Sequence, residues 1–106
     1  MNEVPAVDQE TAEVYASWFR ALSDPSRIRI LNLLARQEAP MSVGEVVDAV
    51  DIGQSTVSHH LKILREVGFV VGTREGTSTR YEVNRACVTK FPTAADVVMG
   101  VRPDDS

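Results

Sequence analysis

Residues 54–68 read Gln-Ser-Thr-Val-Ser-His-His-Leu-Lys-Ile-Leu-Arg-Glu-Val-Gly, and the reading of this stretch decides the fold. Val57, Leu61 and Leu64 recur at the spacing of one face of an α-helix. Gly68 follows the last apolar position and suits a helix C-terminal cap. The other faces are polar. Gln54, Ser55, Thr56 and Ser58 come first, and His59, His60, Lys62 and Arg65 follow. Glutamine can pair bidentately with adenine, and Ser or Thr hydroxyls suit base edges or phosphates. A helix N-terminus also favours a phosphate. Taken alone, such a face is an ordinary solvated surface. Its surroundings in sequence make it more specific.

Working outward, Asp51-Ile52-Gly53 reads as a short turn, preceded by a helix ending near Val50. Ser42-Val43-Gly44-Glu45 is a capping box opening that helix, whose inner side is Val43, Val46, Val47 and Val50. Residues 37–41 read as a loop. Before it, Asp24 caps and Pro25 begins a helix running to about Arg36. Ile28, Leu31 and Leu34 share one of its faces, with Ile30 and Leu33 beside them. A first helix is expected from about Glu10 to Leu22, with Val14, Trp18 and Leu22 in a stripe widened by Tyr15 and Phe19. Downstream, residues 69–74 and 79–83 read as two strands joined by Glu75-Gly76-Thr77-Ser78. This hairpin carries Arg74, Thr77, Ser78 and Arg80, suited to nucleic-acid backbone or minor-groove contact. Residues 84–91 show no clear pattern. Pro92 limits any helix there, and Thr93 with Asp96 is expected to cap a last short helix over 94–99. The order predicts a mainly α domain with a two-stranded β-wing (α+β), a winged helix-turn-helix. Its limits are expected at 10–100, between a loose arm (1–9) and a disordered tail (101–106).

Composition agrees with one domain. The chain has 106 residues, 43 % of them hydrophobic, enough for one packed core. A core this small is often extended by dimerisation. Net charge is −4, which argues against a non-specific polyanion coat. The charge is uneven, however, and residues 52–90 carry net +3 while every flanking segment is negative. The single cysteine, Cys87, excludes an intrachain disulfide and fits a reducing cytoplasm. No signal segment or membrane-length apolar run is present. Catalysis is not expected. Ser58-His59 lacks a nucleophile elbow, and no phosphate-cradling glycine loop occurs.

Two stretches, Ala21–Leu31 and Gln54–Gly68, strongly resemble the ArsR/SmtB (arsenic-repressor) family, and the hairpin Gly72–Tyr81 resembles its wing. The resemblance covers roughly residues 14–84. It implies a homodimeric repressor that binds a pseudo-palindromic double-stranded operator and releases it when an effector binds. It maps the reading helix onto Gln54–Arg65 and the wing onto Arg74–Arg80. It also implies dimerisation through the first and last helices, for which Val14, Trp18, Val97 and Val98 are the expected interface.

The resemblance further implies where metal ligands would stand. A Cys-x-Cys pair at the start of the third helix is replaced by Ser42-Val43-Gly44, and the last helix offers only Asp96. No cofactor is therefore expected. His59 and His60 point about 100° apart on a helix and chelate poorly together. Cys87 remains as a soft ligand or oxidant-sensitive thiol, with a small buried hydrophobe as its plain alternative. The effector is thus a thiophilic metal or metalloid or a redox signal at Cys87. Otherwise control lies with an organic ligand, a partner protein or abundance. A winged-helix module that binds protein instead of DNA is the rival reading.

Overall fold

The computed structural model describes residues 6–100, so the expected tail and residues 1–5 of the expected arm lie outside the described residues. The elements run α1 (Gln9–Ala21), α2 (Pro25–Arg36), β1 (Met41–Ser42), α3 (Val43–Val50), α4 (Gln54–Glu66), β2 (Val70–Glu75), β3 (Ser78–Val83), α5 (Arg85–Val88) and α6 (Lys90–Val98). The arrangement is a winged helix-turn-helix. Among the described residues no helix is long and apolar enough to cross a membrane.

Local chemistry explains most boundaries. Asp8 accepts from the Thr11 amide at 2.8 Å and starts α1 a residue earlier than expected. Asp24 caps α2 through the Ser26 and Arg27 amides, with Pro25 at the first helical position. Ser42 and Glu45 form both bonds of the capping box on α3. Helix α4 ends in Gly68 at φ +90. The Gly68 amide donates to the Arg65 carbonyl and the Phe69 amide to that of Leu64, each at 3.0 Å. These are the paired bonds of a Schellman end. In the turn between α3 and α4 the left-handed residue is Asp51 (φ 57), and Gly53 instead occupies the N-cap of α4.

The sheet corrects the two-stranded expectation. It has three antiparallel strands in the order β1-β3-β2, with Met41 opposite Tyr81 and Ser42 opposite Arg80. Two residues have no readable period, so only pairing with β3 makes them a strand. The first wing strand starts and ends one residue later than expected and the second starts one residue earlier, so that Glu75 pairs with Ser78 across Gly76-Thr77. Gly76 takes φ +63, as a two-residue hairpin with glycine first requires. The last helix is also corrected. It begins at Lys90, and Thr93 lies within it rather than capping it. Pro92 is its third residue, where the missing N–H would have had no helical acceptor, so the helix is not broken.

The core joins Ala21, Ile30, Leu34, Val46, Val50, Val57, Leu61, Leu64, Phe69, Val70 and Val83. Ile30, not Ile28, is the central residue of α2, and Ile28 stands half exposed. Phe69 is fully buried, with Trp18 and Phe91 rings 6.2 and 5.8 Å from its own. It ties α1 and α6 to the end of α4.

Candidate nucleic-acid interface

Helix α4 is anchored by one face and free on the other. Val57, Leu61 and Leu64 are fully buried. Gln54, Ser55, Thr56, Ser58, His59, Lys62 and Arg65 are exposed. The N-cap is Gly53 with no side-chain hydrogen bond, so no side chain occupies the first-turn amides. The arrangement offers amide donors, hydroxyls, one primary amide and two cations along a rigid rod. That is the set a major groove needs.

His60 departs from expectation. It was grouped with the polar face, but it is 7 % exposed and lies on the buried side of α4. Its Nδ1 is 3.4 Å from Nη1 of Arg27. Burial pushes its pKa below the ordinary imidazole value, and the nearby Asp24 charge only partly opposes this. His60 lies three positions after Val57 and four before Leu64, so position 60 falls inside the apolar stripe. Its polar type concealed that.

The wing residues divide. Arg74, Thr77 and Ser78 are exposed. Arg80, expected at the nucleic-acid backbone or minor groove, is held in two ion pairs. Its Nη1 donates to Glu45 at 3.1 Å and its Nε lies 3.5 Å from Glu75. It thereby links the wing to the first turn of α3. The Ser42 backbone amide, foremost, and then the Ser42 hydroxyl and Arg80 hold the Glu45 carboxyl below its usual range. Both carboxylates were legible as residues, but their meeting with Arg80 depends on the β1–β3 pairing.

The expected dimer residues also divide. Val14 (45 % exposed) and Val98 (48 %) are open, and Val97 is half-buried. Trp18 instead turns inward, its ring 5.5 Å from that of Tyr15 and packed on the core. The reading of the chain missed Ile28 and Phe91. With Phe19, Leu22, Leu31 and Ala35 they line an apolar groove of about 520 Å³ between α1, α2 and α6. Met99, 76 % exposed, adds to the open apolar surface. Phe19 was visible as part of a wide stripe, but Ile28 was read as core.

Cys87 is half-buried, with its Sγ 3.9 Å from the Val67 carbonyl. Burial pushes the thiol pKa up, against a smaller opposing effect of Lys90. Among the described residues no group of three or more His, Cys, Asp or Glu side chains is placed to hold a metal ion.

Comparison with known proteins agrees with this geometry. The model of a family described as bacterial regulatory protein, arsR family, matches residues 24–71. The chain is 40 % identical over 77 residues to the HTH-type transcriptional regulator NmtR of Mycobacterium tuberculosis, covering 73 % of this chain and 62 % of that protein. It is 31 % identical over 100 residues to the nodulation protein NolR of Rhizobium meliloti, covering 94 % and 80 %. A homodimeric winged helix-turn-helix DNA-binding domain from Mycobacterium bovis, solved in solution, superposes with a TM-score of 0.69 at 28 % identity. That match covers 89 % of this chain and 87 % of the domain. The chain thus spans about three fifths of the length of NmtR.

Proposed function

The chain belongs to the arsR family of bacterial regulatory proteins, and from that premise we propose that it is a DNA-binding transcriptional repressor. It acts as a homodimer on a pseudo-palindromic operator in the cytoplasm, by binding and not by catalysis. The observation that carries this reading is the exposed polar side of α4, held by its buried side beside an exposed wing. Gln54 and Ser58 read base edges, Ser55 and Thr56 bond base edges or phosphates, and His59, Lys62 and Arg65 line the groove. Arg74, Thr77 and Ser78 meet the backbone from the wing.

A second copy fits the apolar surface of α1, α2 and α6. Val14, Phe19, Ile28 and Val98 are too apolar and too exposed for a lone domain. Two copies related by a twofold axis would place their α4 helices about 34 Å apart, one turn of B-DNA.

The effector reading is narrower. No cofactor is required, release by a thiophilic metal or metalloid or a redox signal rests on Cys87, and an organic ligand, a partner or abundance control is the alternative.

The test is a fluorescence anisotropy titration of reduced protein on DNA from upstream of its own gene. Saturation at one dimer per site is expected, with affinity falling about a thousandfold or more between 50 and 200 mM salt. No binding at 50 mM salt would leave the protein-interaction module in its place. Release by arsenite or peroxide, abolished in Cys87→Ser, would make the thiol the sensor.

A further inference from the structure

Arg27 has no place on the reading face, yet its side chain is only 13 % exposed and joins three elements. Its Nε donates to the Ala21 carbonyl at 2.6 Å and its Nη2 to that of Arg20 at 3.4 Å. Both carbonyls lie at the end of α1, and that of Arg20 also accepts from the Ser23 amide and hydroxyl. On the other side Nη1 faces Nδ1 of His60 on α4. A guanidinium only donates, so Nδ1 accepts, and His60 is neutral with its proton on Nε2. The groups around the ring are Arg27 from α2, His59 from α4 and Asp24 from the α1–α2 turn. Arg27 and His59 disfavour a charged imidazole, and Asp24 favours it. Arg27 cannot shed its own charge. A proton on Nδ1 would therefore leave two cations facing each other, and the Asp24 carboxylate, 3.9 Å from Arg27 Nη1, offsets only part of that repulsion.

We propose that Arg27 and His60 are a positioning pair for the reading helix, fixing the roll of α4 on the α1–α2 corner until His60 takes up a proton. The lever is geometric. On a helix of about 5–6 Å outer radius, a roll of about 20° moves a side-chain tip by about 2 Å. That is well beyond the tolerance of about 0.5 Å for a productive site. Gln54 and Ser58 would then miss the base edges while phosphate contacts, which tolerate more, persist. The pair thus governs preference for the operator over other DNA more than binding as such. It also connects α1, whose outer surface is the proposed dimer face, to the helix that reads DNA.

This rests on the proposed DNA-reading role, so the test has one arm with DNA and one without. The DNA arm uses a His59→Gln background, which leaves His60 as the one histidine of the chain. The ratio of operator to non-specific affinity is expected to fall about tenfold as the pH is lowered from 7.5 until His60 takes up its proton. His60→Asn keeps a neutral acceptor for Arg27 and flattens the profile. His60→Leu keeps the burial without the acceptor, and its ratio falls further at pH 7.5 than that of His60→Asn. Without DNA, imidazole ¹⁵N shifts of the free protein should report the Nε2–H form. An acid profile unchanged by His60→Asn, a native ratio in His60→Leu, or an Nδ1–H ring would overturn the pair. No operator preference at pH 7.5 would instead strike the DNA-reading role, and the imidazole shifts would still decide the pairing.

Discussion

At the scale of single residues, the site separates groups that read from groups that hold. Gln54 is exposed and free to present its amide, so Gln54→Ala should lower operator preference by about ten- to a hundredfold, the loss of one bidentate base contact. Competition titrations against scrambled DNA measure it. Arg74 is exposed, and Arg74→Ala should reduce the slope of log affinity against log salt by about one. Arg80 is shared between Glu45 and Glu75, so Arg80→Ala should change that slope less than Arg74→Ala does. His60 adds a pH dependence. Its folded pKa is depressed, so between that value and the ordinary imidazole value near 6.5 the unfolded chain binds a proton that the fold refuses. Stability rises with pH across this window, and the thermal midpoint should drop as pH falls below about 6.5. A His60→Asn variant should lack that drop.

At the scale of elements, two helix ends carry testable stability. Ser42 supplies half of the capping box on α3, and Ser42→Ala should cost about 1 kcal/mol in urea unfolding with an unchanged m-value. Gly68 ends α4 at φ +90, and a Cβ there would stand 3.7 Å from Cys87 Sγ. Space is adequate, but the backbone conformation is not. Gly68→Ala should therefore cost about 1 kcal/mol or more through φ alone. The same chemistry explains which elements the chain made readable. Asp24-Pro25 and Ser42–Glu45 announce helix starts because their side chains satisfy local amides. Pro92 misled because proline stops a helix only after its first turn, and the start at Lys90 carries no side-chain cap to reveal itself.

For the whole molecule, the question is what covers the apolar groove. Ile28 stands half exposed one turn into α2, lines the groove with Phe19 and Phe91, and takes no part in the core cluster. Ile28→Glu should leave each domain folded but place a charge in the proposed dimer face. Sedimentation equilibrium should then show a monomer, and operator affinity should fall with it, since each copy presents one reading helix. A variant that stayed dimeric would move the interface elsewhere. Trp18 would be a poor probe of the same question, because it packs on the buried Phe69 and its loss would disturb the core.

The winged helix-turn-helix, the helix α4 and the family were legible in the chain because they depend on local order. A 3.6-residue apolar period, capping side chains and turn glycines act over a few neighbours. Tertiary structure alone decided the rest. It turned His60 inward to Arg27, paired Arg80 with two carboxylates, made a strand of Met41-Ser42 and left Ile28 outside the core. Each of those outcomes joins residues far apart in sequence. Which partner a polar side chain meets, and which of two apolar faces is covered, is set only when the elements pack.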